Sequence, residues 1–254
     1  MISLKIKFFI SCGCSFLFIL SDIYAQTTPG KLSFNDESKQ FSISLYGTYI
    51  SSSQLQNDPK SADPIVRNVL LDLKGGYGYG AEFNYKPNLY NLNLIFFIST
   101  EYLRINESDL VFTFDNGTNT ASVNMDEDFT MIPLEAGVKW NLPVGTENFK
   151  IYIGGGGGIY FGNRIRTIAN LTSTTISTQP GFSLNVLSGL EYYFARNLSG
   201  NLELKFREPY FDVESSYTAN SIILNGTAFQ IENPFYSRMI VDGVRISFGL
   251  NYHF

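Results

Sequence analysis

The stretch "IYIGGGGGIYFG", Ile151 to Gly162, places five glycines in a row between apolar residues. A phosphate-binding loop needs Lys and then Ser or Thr after its last glycine, but Ile159 and Tyr160 follow this run. The dinucleotide-binding spacing Gly-x-Gly-x-x-Gly fails from every start within the run. Every second residue of a strand faces the same side, and the large apolar residues before and after the glycines fall on the same side. This period predicts a long β-strand. One face would carry Ile151, Ile153, Gly155, Gly157, Ile159 and Phe161.

The composition is rich in aromatic residues and poor in charge. The 254 residues include 22 Phe, 16 Tyr and one Trp, and only 16% are charged. This balance favours β structure in contact with an apolar medium. The length suits a single all-β barrel.

The first 25 residues have the layout of a secretory signal peptide, with Lys5 and Lys7 before an apolar run and a small residue at Ala25. Acylation of Cys12 is the alternative, but little apolar sequence precedes it. Residues 26–39 are predicted to form an N-terminal periplasmic segment and residues 40–254 a barrel domain. Cleavage would change 18 positive and 23 negative residues to 16 and 22, because Lys5, Lys7 and Asp22 are removed. The resulting net charge of −6 argues against nucleic acid as a partner.

Eight alternating stretches follow, most near the roughly 9 to 11 residues that a tilted strand needs to cross a bilayer. Short and long connections alternate between them, as in bacterial outer-membrane barrels with short periplasmic turns and long external loops. The sequence therefore predicts an all-β, eight-stranded, antiparallel up-and-down transmembrane β-barrel. The stretches are Gln40–Ile50, Gly75–Tyr85, Leu92–Arg104, Phe129–Leu142, Phe149–Gly162, Gly181–Ala195, Asn201–Arg207 and Asp242–Phe254.

Alternation alone does not separate a membrane barrel from a soluble ligand-binding barrel. The apolar face carries more large side chains than an eight-stranded interior can hold, so these side chains are predicted to point outward. Aromatic residues near both strand ends predict two girdles at the headgroup layers. On the inner face, the glycines of the run are predicted to make room for large lumen residues. These are Tyr46, Tyr152, Tyr160 and Tyr193.

Charged residues also fall on the predicted inner face. Buried charges are costly unless they are paired, so their near balance predicts ion pairs across a narrow lumen. The favoured interpretation is a polar plug, and a conducting pathway is the alternative. The predicted lumen network consists of Glu82, Glu101, Glu135, Lys139, Glu191, Glu203, Lys205, Arg207 and Arg245.

The sequence gives little support for a catalytic site or a metal site. Acyl transfer of the Ser-His type needs a histidine base, and the only histidine, His253, is predicted to be a solvated residue at the turn-side mouth. Asp126, Glu127 and Asp128 are predicted to be a solvated charge run rather than a Ca²⁺ site. No enzymatic activity, cofactor or metal is therefore expected. Apolar groups in the long loops, at Leu110–Phe114, Ile222–Leu224 and Phe235–Tyr236, could form a partner surface or pack into a compact cap.

The last eight residues, "SFGLNYHF", match the C-terminal assembly signal of outer-membrane barrels through Ser247, Gly249, Tyr252 and Phe254. With the signal peptide and the eight strands, the chain resembles the small OmpA/OmpW-type proteins with an outer membrane protein beta-barrel domain. The resemblance implies an outer-membrane location in a Gram-negative-type bacterium, contact with outer-membrane lipid, and insertion by the barrel-assembly machinery.

Two functions are open at this stage. The first is a monomeric structural barrel or a barrel that passes small or apolar molecules. The second is a surface binder or adhesin whose loops contact an extracellular ligand.

Overall fold

The computed structural model describes residues 39–88 and 93–254. The predicted signal peptide, residues 26–38 of the predicted periplasmic segment and Leu92 lie outside these residues. Within them, no helix combines the length and the apolar character that a membrane crossing requires. The elements are β1 (Phe41–Asn57), α1 (Pro64–Arg67), β2 (Leu70–Tyr85), β3 (Leu94–Asp115), β4 (Thr120–Thr146), β5 (Phe149–Ile168), β6 (Leu171–Gln179), β7 (Gly181–Ala195), β8 (Leu198–Arg207), β9 (Tyr210–Tyr217), β10 (Ser221–Leu224), β11 (Thr227–Gln230), β12 (Phe235–Ile240) and β13 (Val244–His253).

Eight of these strands close into a ring. The hydrogen-bonded neighbours are β1–β2, β2–β3, β3–β4, β4–β5, β5–β7, β7–β8, β8–β13 and β13–β1, and all of these pairs are antiparallel. Closure leaves no free edge in this ring to pair with another chain. The predicted up-and-down barrel is confirmed, with its strands in the predicted order.

On the loop side the sheet continues with eight strands, although its β2–β3 ladder ends at the Tyr77–Arg104 pair. There β6, β9 and β12 take the places of β7, β8 and β13, through the pairs β5–β6, β6–β9, β9–β12 and β12–β1. Pro180 separates β6 from β7, and Pro209 separates β8 from β9. Proline has no N–H for the ladder, which explains why the strands break at these positions. We call this loop-side part of the sheet the extension.

The first five predicted strands were therefore too short on the loop side, whereas Gly181 and Arg207 bound β7 and β8 there as predicted. β1 was predicted to end at Ile50 and β2 to begin at Gly75, but their pairing continues in the same register from Ile50–Gly76 to Ser52–Lys74 and on to Gln56–Leu70, with only the Ser51–Gly75 pair missing. A Cβ atom on Gly75 would lie 1.9 Å from the Ile50 carbonyl oxygen, so only glycine fits here. Beyond this point the inward positions of β1 change from even to odd numbers. The alternation that defines a strand in the sequence is lost at the same residues.

The outside of the closed ring is a continuous apolar band, which confirms the predicted orientation. Leu45 is 65% exposed and Leu184 is 71% exposed, while the polar residues between the band positions are buried. Rings cluster at the turn side, where the Phe41 centroid lies 5.1 Å from Tyr85 and 6.0 Å from Phe254. Tyr49 and Tyr77 meet at 5.0 Å at the loop side. These two levels match the predicted aromatic girdles.

The glycine run lies in β5 as predicted, but its role differs from the prediction. A Cβ atom on Gly156 would lie 2.2 Å from the Ala136 carbonyl oxygen, so the run allows the backbones of β4 and β5 to approach closely. The lumen tyrosines occupy space elsewhere. Tyr46 lies over Gly80, and Tyr152 lies over Gly189, where an added Cβ would come within 2.6 Å and 2.3 Å of the rings.

Candidate functional site: the charged lumen

The nine charged residues predicted for the lumen are all buried inside the closed ring. They come from six strands, β2, β3, β4, β7, β8 and β13, because inward positions at similar heights meet across a narrow barrel. Eight of them form one connected group of four carboxylates and four cations. The ninth, Glu191, lies apart on the turn side.

Two arginines form the loop-side half of this group. Arg207 is ion-paired with Glu101 and also contacts Glu135 at 3.0 Å. Arg245 contacts Glu101 at 2.7 Å and Glu203 at 3.1 Å. Each guanidinium therefore bridges two carboxylates, which uses the several donors of its planar fork.

Two lysines form the other half. Lys139 contacts Glu82 at 2.6 Å and Glu203 at 3.0 Å. Lys205 contacts Glu135 at 2.7 Å and approaches Glu203 at 3.7 Å. With equal numbers of opposite charges, the group compensates much of the cost of removing ions from water.

Tyrosines complete the coordination of the carboxylates. The Tyr160 hydroxyl donates to Glu135 at 2.5 Å, and the Tyr152 hydroxyl donates to Glu203 at 3.2 Å. The Tyr46 ring lies 4.7 Å from the Arg245 guanidinium, within the range of a cation–π contact. The sequence places these rings in the lumen, but it does not indicate which carboxylates they bind, since strand register decides that.

Glu191 belongs to a separate polar cluster at the turn side. Its Oε1 accepts hydrogen bonds from Ser199 at 2.6 Å and from Asn251 at 2.7 Å, and the Tyr193 hydroxyl donates to its Oε2 at 3.3 Å. His253 Nε2 lies 2.8 Å from Ser199 Oγ and 3.3 Å from Glu191.

The prediction that His253 is solvated was wrong. Only 12% of its side chain is exposed, because the ring packs 4.9 Å from Tyr193 inside the mouth. A nucleophilic triad needs the serine and the carboxylate on different ring nitrogens. Here both Ser199 and Glu191 approach Nε2, and Ser199 is fully buried. The cluster joins β7, β8 and β13 at this end of the barrel.

An apolar layer follows the charged group on the loop side. Ile50, Leu103, Phe129, Met131 and Met239 are each at most 2% exposed and lie in one cluster. Tyr160 belongs to this cluster and also binds Glu135, so the apolar layer rests directly on the charged group.

Above this layer, inside the extension, lies a second buried charge cluster. Arg164 contacts Glu127 at 2.6 Å, Arg166 contacts the same Glu127 oxygen at 2.6 Å, and Arg166 also donates to Asn57 at 2.8 Å. Burial opposes the charge on Glu127, but Arg164 and Arg166 outweigh it and hold the pKa of this carboxyl below its usual range. Burial and then repulsion from Arg166 lower the pKa of Arg164 to about 10.

The prediction for the acidic run was therefore wrong for Glu127, which is buried. Its neighbour Asp128 points to the outside and pairs with Arg104, as expected when successive strand residues face opposite sides. Among the side chains that the structure describes, no three His, Cys, Asp or Glu groups are placed to hold a metal ion. The period of two in the sequence places Glu127 and Asp128 on opposite faces of the strand. The prediction of a solvated run considered only the polarity of these residues.

The apolar loop groups form a cap at the end of the extension. Phe114, Ile222, Phe229 and Phe235 are buried in one cluster with Tyr217. The hairpin of β10 and β11 supplies Ile222 and Phe229. Of the two interpretations of these loop residues, the structure supports the compact cap.

The four residues of the predicted assembly signal lie on both faces of β13 and at its end. Ser247 points inward and accepts a hydrogen bond from Arg245 at 3.2 Å. Gly249 also points inward, where a Cβ atom would lie 2.5 Å from Asn201. Tyr252 and Phe254 are exposed in the turn-side girdle, and the Phe254 amide donates to the Phe41 carbonyl at 2.9 Å.

No protein-family model and no curated protein sequence matches this chain. Among solved structures, the outer membrane protein OprG from Pseudomonas aeruginosa has a TM-score of 0.50 at 12% identity, covering 85% of this chain and 96% of that chain. Neisserial surface protein A has a TM-score of 0.42 at 14% identity, covering 84% of this chain and 97% of that chain. Taken with the closed ring and the apolar band, the OprG similarity shows that the chain folds as an outer-membrane β-barrel of the small eight-stranded type.

Proposed function

We propose that this protein is a monomeric structural barrel of the outer membrane of a Gram-negative-type bacterium, with a lumen that is closed to ions and with no enzymatic role. The observation that carries the proposal is the filling of the lumen. Four carboxylates and four cations pair across it, and an apolar layer lies directly above them. An ion would have to displace paired charges and then cross side chains that are almost completely buried. Dry apolar constrictions of this kind block ion passage.

Conductance of the purified barrel in a planar bilayer tests this proposal. We expect no discrete channels from the wild-type protein. A matched pair of variants checks that the assay detects an opened lumen. Phe129→Ala combined with Met131→Ala removes inward side chains of the apolar layer and should produce leak currents. Leu184→Ala removes an outward side chain and should remain silent. Discrete wild-type channels that persist after the loops are trimmed would overturn the closed lumen and favour passage of small solutes.

A second candidate function is binding through the loops. The connection between β1 and β2 carries Ile65, Val66 and Val69, which are all exposed, with Ile65 at 80%, and the first residue of β2, Leu70, is exposed as well. Contiguous exposed apolar side chains can mark a partner surface. Replacing Ile65 and Val66 with Ser should abolish attachment of cells that display the barrel, if binding is the function. Unchanged attachment to epithelial monolayers or to matrix-coated surfaces would exclude this connection as the binding site.

A further inference from the structure

A groove lies in the outer apolar band on the turn side, along β8. It has a volume of about 310 Å³ and is lined on both sides by large side chains. Gly200 forms its floor, since this residue pairs with Tyr192 of β7 on one side and with Leu250 of β13 on the other. Phe194 and Phe248 extend the two walls.

Backbone geometry does not require glycine at this floor position. A Cβ atom on Gly200 would have the Gly249 carbonyl oxygen at 3.8 Å and a Phe194 ring carbon at 3.9 Å as its nearest neighbours, which are ordinary contacts. By contrast, a Cβ atom on the inward-facing Gly189 would lie 2.3 Å from the Tyr152 ring. The groove exists because Gly200 has no side chain to fill this space.

The turn-side end of the groove carries positive charge. Arg196 lies in the turn directly after β7, two residues beyond Phe194, and it is exposed. Lys39 Nζ donates to the Arg196 carbonyl at 2.8 Å and to the Asn197 side chain at 2.5 Å. Two basic residues therefore lie side by side at this turn, at the level of the turn-side aromatic girdle, where lipid headgroups begin.

We infer that this groove holds one acyl chain of an anionic glycerophospholipid, whose phosphate group is bound by Arg196 and Lys39. The inference rests on the proposed membrane location. The walls of the groove are apolar side chains that face lipid tails, and the cations at its end complement a negative headgroup.

Native mass spectrometry of the delipidated barrel in detergent tests this site. The probes are dimyristoyl phosphatidylglycerol and dimyristoyl phosphatidylcholine, which share their acyl chains and differ in net charge. We expect one tightly bound lipid, with phosphatidylglycerol preferred. Gly200→Leu should fill the groove and weaken the binding of both lipids about tenfold or more. Arg196→Gln should weaken phosphatidylglycerol binding about fivefold and weaken phosphatidylcholine binding less, so that the preference for phosphatidylglycerol falls.

The matched control is Gly47→Leu. Gly47 is also an outward glycine in the apolar band, with no atom within 4 Å of an added Cβ, and it lies outside the groove lining. This variant should bind both lipids as the wild type does. If Gly200→Leu binds lipid like the wild type, or if Gly47→Leu loses as much affinity, the groove site is overturned. Such a result would leave the closed lumen standing, whereas wild-type channels in the bilayer would overturn the closed lumen without affecting the groove.

Discussion

Replacing Glu135 with Gln removes one negative charge from the lumen and keeps the size of the side chain. Glu135 contacts Lys205 at 2.7 Å and Arg207 at 3.0 Å, and it accepts a hydrogen bond from Tyr160 at 2.5 Å. After the substitution, four cations would face three carboxylates in the connected group. The barrel should therefore lose stability, because a buried positive charge is left without its partner.

The contacts that remain set the size of the effect. Breaking a buried ion pair by removing one partner costs about 3 to 5 kcal/mol. Lys205 keeps Glu203 at 3.7 Å, and Arg207 keeps its ion pair with Glu101. We therefore expect the lower end of that range, about 3 kcal/mol, or on the order of a hundredfold in the unfolding equilibrium.

Urea unfolding of the barrel in lipid vesicles measures this change. Trp140 is the only tryptophan of the chain and lies on the outer face of β4, so its fluorescence reports the transfer of the band from lipid to water. Asp128→Asn is the matched control, since it breaks an exposed pair with Arg104 and should leave the midpoint almost unchanged.

A double variant, Glu135→Gln with Lys205→Met, restores equal numbers of opposite charges in the group. It should be more stable than Glu135→Gln alone, because the two substitutions act on one contact. Equal urea midpoints for Glu135→Gln and the Asp128→Asn control would refute the expected loss of stability.

Three further changes test other parts of the molecule. Gly189→Ala places a Cβ atom 2.3 Å from the Tyr152 ring and should cost about 1 to 3 kcal/mol in the same urea assay, whereas Gly47→Ala has open space and should be neutral or slightly stabilising. Removing Phe254 takes away its backbone pair with Phe41 and its ring from the girdle, so the fraction of heat-modifiable barrel in cell membranes should fall. Because the pKa of Glu127 is depressed from 4.5, its charged form should stabilise the extension above about pH 4.5 and lose this effect as the pH falls further. Hydrogen–deuterium exchange of the β4 and β5 amides in the extension, corrected for the intrinsic exchange rate, should then be faster in acid. Glu127→Gln should show the same faster exchange at neutral pH.

The eight strands of the band could be predicted because one rule governs them throughout. Outward residues are apolar and inward residues are small or polar, so the period of two survives even through five consecutive glycines. The loop-side ends of β1 and β2 could not be predicted in the same way. The inward positions of both strands change parity beside Gly75, and the close approach there, a carbonyl oxygen 1.9 Å from the Cβ position, is visible only once the strands are paired.

The lumen residues could be predicted from the sequence, but their contacts with one another could not. Inward position identifies Glu135 and Lys205 as lumen residues, since each lies at a fixed parity in its own strand. Their contact across 70 positions of sequence depends on the relative height of β4 and β8, which is set by the register of several intervening pairs. The same limit applies to His253, whose burial depends on Tyr193 and Ser199 from neighbouring strands.

The extension reverses the polarity of the barrel that it continues. Along β3, the inward residue changes from Glu101 to Leu103 and Ile105, while the outward residue changes from Tyr102 to Arg104. A cylinder that leaves lipid meets water on its outside, so its apolar side chains must turn to the inside to be buried. The apolar layer above the charged group is thus the core of the extension and not a separate plug. Opening a path through it would require unfolding part of that core, so the proposed closed lumen follows from the same rule that gives the band its outward-facing apolar side chains.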